Sequence, residues 1–398
     1  MCPAHPRPFR LSLSALVLTL LGTQPACAQP FPAAAQTLTL PAPAVWLAAE
    51  GEGPQVYAVT AAGDLLAVRN GQVTQLAKNF SSTFISACSG RVVGVNDAGQ
   101  LRVWDGSAVQ GGPGADLSPL AHPVCLPTGI VAVSRAGDLV RFDPAAGGWR
   151  ESARTAAHAL PDAQLTVADL DGAGEAVVAL TRPDAARYAH GILGDAVEAT
   201  ELTLFERHSL KVRSRLRLPA PLVFEDLQAR PVRLTGDRDT LAVVRSSPSG
   251  GGALALVEGS GDTLTFRAVG PDFGQPSRWL APVVGFGQLW AVRTPHIGGQ
   301  LVQYTAAGEA LNASAPFGGL SNHGIGSRNL NAAVLTAPGQ LALPTQDRRT
   351  LLALDCRAAC QVTGKLALGG TLTSNLLSVG PQVWMGDSGG TLHGWTVR

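Results

Sequence analysis

The chain has 398 residues, of which 30 are Lys or Arg and 29 are Asp or Glu, so its formal net charge is +1. A chain this close to neutral has no basic field to attract nucleic acid or anionic lipid, and we expect no nucleic-acid partner. Its length suits one large all-β domain or two ordinary domains.

Residues 1–28 predict a secretory signal peptide. Arg7 and Arg10 precede the apolar run LSLSALVLTLLG, and small residues before Ala28 indicate cleavage after it. The run is shorter than the roughly 20 residues that cross a bilayer, and no later segment is apolar enough, so we predict no transmembrane span. Cys27 raises a lipoprotein as an alternative, but residues 24–26 lack the aliphatic residue of a lipobox. We therefore expect an exported protein, periplasmic or secreted.

Four cysteines follow the signal peptide, and an even number in an exported chain predicts disulfides. The stretch LDCRAACQV places Cys356 and Cys360 on the two arms of a tight hairpin. Cys88 and Cys125 would then form the second bridge. A metal site is the alternative, although these spacings fit no zinc pattern.

A repeated sequence pattern organises the chain. The segments VYAVTAAGDLLAVRNGQV (56–73), VVGVNDAGQLRVWDGSAV (92–109) and IVAVSRAGDLVRFDPAAG (130–147) align without a gap. Alternation with period two predicts half-buried strands, and the Gly lies where a tight turn needs a positive φ. Gly63, Gly99 and Gly137 recur 36 and 38 residues apart, which is the spacing of a propeller blade.

Extending this pattern predicts an all-β fold, a single β-propeller of eight blades, with seven as the alternative because blades four to six are irregular. The last blade has only three strands of its own, and TLTLPA (37–42) would supply the fourth, removing two exposed sheet edges. We therefore expect a short N-terminal segment at 29–36 and one propeller domain at 37–398. The predicted blades begin near Ala44, Thr83, His122, Gln164, Val223, Arg278, Asn331 and Ser374.

The blade pattern of V-x-V, a turn and G-x-L resembles PQQ-like repeats, the superfamily of BamB-like assembly scaffolds and quinoprotein dehydrogenases. The resemblance implies a propeller architecture far more than an activity. The chain lacks the tryptophan-docking signature of quinoproteins and a vicinal cysteine pair to stack a quinone. It also lacks the lipobox of the BamB-like scaffolds, which puts a membrane tether in doubt.

Blade four carries VADLDGAGEAVVAL (167–180), which is similar to an FG-GAP or VCBS-type repeat. In that family a DxDGDG loop binds calcium through closely spaced carboxylates. The resemblance implies Asp169, Asp171 and Glu175 as the metal ligands here. Ala173 and Val177 stand where two further carboxylates are usual, so a structural turn is the alternative.

Three loop stretches are predicted to share one face of the propeller. Loops between the second and third strands of a blade lie on the same face as the connections between blades. The insertion 182–201, the stretch TPHIGG (294–299) and the linker GGLSNHGIGSRN (318–329) meet this condition. Long loops on a rigid scaffold concentrate binding residues. The candidate binding residues are Arg187, Tyr188, His190, Asp195, Glu198, His296, Asn322, His323 and Arg328.

The stretch MGDSGGTLHGW (385–395) contains GDSGG, which surrounds the nucleophilic serine of trypsin-like proteases, and TAAH (155–158) is similar to their histidine segment. VWMGDSGGTLHGW aligns without a gap to VYAVTAAGDLLAV, so Ser388 corresponds to Ala61 and Gly390 to Gly63. Asp, Ser and Gly are preferred in such turns. Only ten residues follow Ser388, too few for specificity-pocket strands, so we reject the protease.

These features predict an exported, non-catalytic, monomeric β-propeller without a cofactor. It would present its loops to an envelope or extracellular protein, or to a small ligand. One alternative is a hydrolase or lyase in which His190 acts with Asp195 or Glu198. The other is a calcium-bound adhesion module built around Asp169 and Asp171.

Overall fold

The computed structural model describes residues 35–51, 53, 55–114 and 116–397, and the predicted signal peptide lies outside these residues. Period-two alternation places side chains on opposite sheet faces, as in Leu101–Trp104, where Leu101 and Val103 are buried and Arg102 and Trp104 are partly exposed. Neighbouring blades pack face to face around such side chains, for example Val93 of blade two against Ile130 of blade three.

The strands form eight four-stranded antiparallel blades, so the eight-bladed prediction is confirmed. Blade one consists of Ala44–Ala49, Val56–Thr60, Leu65–Arg69 and Gln72–Ala77, and blade two consists of Ile85–Cys88, Arg91–Val95, Leu101–Trp104 and Val109–Gly111. Blade three consists of Val124–Leu126, Gly129–Val133, Leu139–Ala145 and Gly148–Thr155, and blade four consists of Thr166–Ala168, Ala176–Asp184, Glu198–Glu206 and Val212–Arg217.

Blades five to eight continue the same order from the inner strand outwards. Blade five consists of Arg230–Val232, Thr240–Ser247, Gly251–Ser260 and Thr263–Val269, and blade six consists of Leu280–Gly285, Gln288–Arg293, Gln300–Ala307 and Ala310–Ala313. Blade seven consists of Val334–Ala337, Gln340–Pro344, Thr350–Asp355 and Gln361–Ala367, and blade eight consists of Leu377–Val379, Gln382–Gly386, Thr391–Thr396 and Ala35–Thr39.

Blades four to six are irregular because extra pairings join them into one continuous sheet. Val223–Phe224, where the sequence predicts the start of blade five, pairs with Ala199 of blade four and with residues 245–246 of blade five. The inner strand of blade five begins later, at Arg230. A second short strand, Phe317–Gly318, pairs with the third strand of blade six.

The ring is closed by the pairing of its first and last strands, as predicted. Ala35–Thr39 lies antiparallel to Thr391–Thr396, in a register that runs from Ala35 opposite Trp395 to Thr39 opposite Thr391. The strand begins two residues before the predicted 37–42 segment and ends at Thr39. Asn375 of blade eight adds a buried link to blade one, because its side chain accepts from the Leu47 amide at 2.7 Å and donates to the Leu47 carbonyl at 3.1 Å.

In blades one, two, three and eight, the glycine turn between the second and third strands is hydrogen-bonded to the connection between two blades. Gly63, Gly99, Gly137 and Gly390 have φ values of 81°, 75°, 83° and 76°, a conformation that residues other than glycine rarely adopt. In each case the glycine carbonyl accepts a backbone hydrogen bond from the connection to the neighbouring blade. The donors are Phe80, Leu117, Ala159 and Leu40, at 2.7 to 2.9 Å.

The GDSGG stretch forms the turn between the second and third strands of blade eight, in agreement with the alignment. The Ser388 hydroxyl accepts from the Thr371 amide at 3.0 Å. His393 contacts Asp387 instead of the serine, with its Nε2 atom 2.8 Å from Oδ2. The motif therefore stabilises a turn, and Ser388 is not activated by this histidine.

Both predicted disulfides are present, Cys88–Cys125 and Cys356–Cys360. The first joins the inner strands of blades two and three. The second closes the turn between Asp355 and Gln361, so its cysteines lie just outside the two hairpin arms. Among the described residues, no helix has the length and apolar character needed to cross a membrane.

Candidate functional site

The three predicted loops meet on one face of the propeller, which we call the top face. The 182–201 insertion extends the second and third strands of blade four and contains a short 3-10 helix, Gly191–Leu193. The Gly326 amide donates to the Ile192 carbonyl at 2.8 Å, and this bond joins the insertion to the 318–329 linker. A bond between His296 and His323 joins that linker to the 294–299 loop.

Three of the predicted binding residues have roles within the fold. The Tyr188 hydroxyl is buried and accepts from the Ser277 amide at 3.1 Å. Asn322 is fully buried and donates to the Ala281 carbonyl at 3.2 Å. Arg187 donates to the carbonyls of residues 218 and 222. These side chains position the loops, and a partner on the top face would not reach Tyr188 or Asn322.

Arg328 connects the linker to both neighbouring elements. Its Nε atom donates to Asp162 at 2.8 Å, and its Nη2 atom lies 3.2 Å from Asp195. The Gln164 side chain donates to the Arg328 backbone carbonyl at 2.5 Å. Asp195 is therefore held in an ion pair with Arg328. It does not contact His190, although the enzyme alternative requires that contact.

The partner of His190 is Glu225, which the sequence analysis does not single out. Nδ1 of His190 lies 2.5 Å from Oε1 of Glu225, and the other carboxyl oxygen accepts from the Ser246 hydroxyl. The Trp279 indole donates to the Glu225 carbonyl at 2.9 Å. Glu225 lies in the connection between blades four and five, which reaches the same face. The predicted topology could therefore have indicated that Glu225 lies near the site.

A second chain of hydrogen bonds runs through two imidazoles. His296 Nε2 lies 2.8 Å from His323 Nδ1, and His323 Nε2 lies 2.8 Å from the Ser327 carbonyl oxygen. Burial lowers the pKa of His296 to about 4 and that of His323 to about 3. Both rings are therefore neutral at neutral pH. Trp279 is parallel to His296, with a centroid separation of 6.3 Å.

His190, Trp279 and His296 line a cleft of about 200 Å³, which we call the top-face cleft. Two isoleucines at its mouth are strongly exposed, Ile297 at 67% and Ile325 at 74%. Ile297 follows His296 directly, Ile325 follows His323 after one glycine, and each isoleucine precedes a glycine, a pattern that distinguishes both loops in the sequence. The lining residues are His190, Ile192, Ser277, Arg278, Trp279, Thr294, Pro295, His296, Ile297 and Ile325.

The backbone of the top-face cleft is strained at two positions. Ser277 has a φ of 54° and Thr294 a φ of 45°, in the left-handed region that β-branched residues avoid. The Thr294 amide donates to the Trp279 carbonyl at 2.9 Å, and the Ile297 amide donates to the Thr294 carbonyl at 2.9 Å. Such strain persists where the surrounding contacts enforce it, and it clusters at functional sites.

Glu198 lies beneath these loops and is 1% exposed. Burial, together with the nearby acids Glu225, Asp195, Asp226 and Asp162, raises its pKa to about 10. Its carboxyl group is consequently protonated at neutral pH. A protonated carboxyl group at this position limits the repulsion among the acidic side chains of the top face.

Two of the three predicted calcium ligands on blade four, Asp171 and Glu175, are paired with arginines. Arg213 Nη2 contacts both carboxyl oxygens of Asp171 at 2.6 Å, and Arg207 lies 3.1 Å from Glu175. Asp169 accepts from the Gly172 amide at 2.8 Å. Calcium coordination by Asp171 would require Arg213 to move away. Across the described ranges, no three His, Cys, Asp or Glu side chains are grouped to hold a metal ion.

Replacing Glu198 with Gln is expected to make the protein more stable at alkaline pH. The folded protein keeps a proton on Glu198 between pH 4.5 and about 10, whereas the unfolded chain releases it, so the wild type loses stability as the pH rises through this window. Thermal unfolding at about pH 4 and about pH 8 should show a raised Tm only at the higher pH. Glu309→Gln, at an exposed turn, is the control. An unchanged pH dependence in Glu198→Gln would contradict this assignment.

Comparison with known proteins supports the fold. No protein-family model matches the chain, and no curated protein matches it. Among solved structures, BamB from Moraxella catarrhalis is 12% identical, with 91% of this chain and 96% of that chain covered and a TM-score of 0.58. Sqt1 from Saccharomyces cerevisiae is 9% identical, with 91% and 98% covered and a TM-score of 0.63.

The computationally designed protein Ika8 is also similar, at 12% identity and a TM-score of 0.56, with 90% of this chain and 98% of that chain covered. At these identities the likeness concerns the fold alone. The PQQ-like resemblance therefore predicted the architecture correctly, and the chain is a β-propeller with the overall fold of BamB and Sqt1.

Proposed function

We propose that this protein is an exported, non-catalytic β-propeller that binds an envelope protein or a ligand through its top face. The observation that carries the proposal is the top-face cleft, where three loops from blades four, six and seven converge around Trp279, with Ile297 and Ile325 exposed at its mouth. Exposed apolar side chains around a concave site are characteristic of binding surfaces.

The rigidity of the cleft also supports binding. Trp279 is 2% exposed and is held by its indole bond to the Glu225 carbonyl. His323 is 1% exposed and fixes the ring of His296. A preorganised site loses little conformational entropy when a partner binds. The loops therefore act as one preformed surface.

Export is supported by two separate features. The 1–28 segment has the order of a signal peptide, and both cysteine pairs are within disulfide distance. Structural disulfides persist in oxidising compartments and are rare in the cytosol. The Cys88–Cys125 bridge joins residues with a sequence separation of 37 and would stabilise the fold by about 3–4 kcal/mol.

An enzyme is the second candidate, and one observation favours it. His190 lines the cleft and is oriented by Glu225, an arrangement that a general base requires. The residues that the sequence proposed to act with it are engaged elsewhere, since Asp195 pairs with Arg328 and Glu198 is buried and protonated. Binding therefore accounts for more of the site than catalysis does.

Site-specific photo-crosslinking tests the binding surface. A photoreactive residue at position 297 or 325 is expected to form a discrete adduct in native cells, because both positions lie at the mouth of the cleft. Position 286 is the matched control, since Phe286 is also 60% exposed but lies in a turn between first and second strands, on the opposite face. A photoreactive residue at position 278, at the rim of the cleft, should capture less of the partner when Ile297→Asp and Ile325→Asp are also present.

Equal capture from position 286, or no adduct from positions 297 and 325, would contradict the proposed surface. Because both isoleucines are exposed, their substitution should leave the unfolding temperature unchanged, and a thermal scan checks this. A folded double variant that still captures the same protein would show that the partner binds elsewhere.

Cell fractionation with mass spectrometry tests export. We expect the mature chain to begin at Gln29 and its four cysteines to resist thiol labelling. Removal of residues 2–28 should retain the protein in the cytosol with reactive thiols. A chain that keeps residue 1 and in which Cys88, Cys125, Cys356 and Cys360 all react with the thiol label would contradict export.

A further inference from the structure

The hydrogen bonds of His296 determine which of its ring nitrogens carries the proton. A backbone carbonyl can only accept, so His323 Nε2 must donate to Ser327. In a neutral ring the other nitrogen then accepts, so His296 Nε2 must donate to His323 Nδ1. The Nδ1 atom of neutral His296 is left with a lone pair, which makes it a hydrogen-bond acceptor.

This acceptor belongs to the top-face cleft. The ring of His296 lines the cleft, and Nδ1 has no hydrogen-bond partner among the described residues. Burial lowers the pKa of His296 to about 4, so the ring stays neutral and Nδ1 stays an acceptor at neutral pH. A ligand in the cleft would satisfy this nitrogen only by donating a hydrogen bond.

The remaining walls select an apolar group. Ile192, Pro295, Ile297 and Ile325 contribute aliphatic surface, and Trp279 contributes an aromatic ring. The carboxyl group of Glu225 is covered by His190 and Ser246 and cannot attract a cation from the cleft. A cation would lose its hydration here without an anionic partner and would also meet the Arg278 guanidinium at the rim, which is costly.

The volume limits the ligand to one side chain. Small-molecule sites enclose roughly 300–1,000 Å³, whereas this cleft encloses about 200 Å³. Tryptophan and tyrosine combine an apolar ring with a single N–H or O–H donor, and both are favoured as buried anchors at interfaces. Phenylalanine and the aliphatic residues lack the donor.

We propose that the top-face cleft binds a tryptophan or tyrosine side chain of the partner, whose ring donor hydrogen-bonds to Nδ1 of His296. This inference rests on the proposed binding function and names the group that the cleft recognises. The exposed isoleucines would close around the bound ring and exclude water from the hydrogen bond.

Titration of the full mature protein with small probes, followed by NMR, tests the inference. N-acetyltryptophanamide or N-acetyltyrosinamide should bind about three- to tenfold more tightly than its 1-methylindole or O-methyl analogue, which cannot donate. The methylated probes should bind about as weakly as N-acetylphenylalaninamide. Comparison of the tryptophan probe with the tyrosine probe shows whether the cleft prefers an indole N–H or a phenol O–H donor.

A variant locates the effect. His296→Phe should abolish the preference for the donor probes, whereas His158→Phe, at an exposed histidine of another loop, should preserve it. Equal binding of donor and methylated probes to the wild type would overturn the inference, and so would the absence of binding by every aromatic probe. Neither outcome depends on the variant folding. Crosslinking at positions 297 and 325 would still decide the proposed function separately.

Discussion

Closure of the ring is the constraint on which the rest of the structure depends. Eight twisted blades leave two free sheet edges unless the first strand pairs with the last blade, and free edges expose unpaired backbone groups. Ala35–Thr39 covers the edge of Thr391–Thr396, and Asn375 adds hydrogen bonds to the Leu47 backbone from within the core. With the ring closed, each blade is packed between two neighbours, and the loops of blades four, six and seven have fixed separations.

The glycine turns link neighbouring blades along part of the ring. The site lies where longer loops take the place of these short turns. A glycine carbonyl accepts from the next connection at Gly63, Gly99, Gly137 and Gly390, which fixes the top face of blades one to three and eight. Blades four and six carry longer loops between their second and third strands. The blade-four loop instead accepts a bond from the linker between blades six and seven, through Gly326 and Ile192, and a cleft forms beside this junction.

The architecture was predictable from the sequence because it repeats. Alternating apolar residues and regularly spaced glycines identified the blades, and the three-strand last blade indicated the closure. The bridging strand Val223–Phe224 was not predictable, since its pairing depends on contacts across two blades. The loops of the site were identified, but their partners were not. Arg328 and Asp195 are 133 residues apart, and His190 and Glu225 are 35 residues apart, distances over which sequence spacing carries no information.

Amide hydrogen exchange of the native protein, measured by NMR, tests ring closure most directly. In an antiparallel sheet successive amides of a strand point to opposite neighbours. If Ala35–Thr39 covers the edge of the last blade, every amide from residue 391 to residue 395 should exchange slowly, because this stretch has a neighbouring strand on both sides. Rapid exchange of every second amide in that strand would mean a free edge, and it would contradict the closed ring.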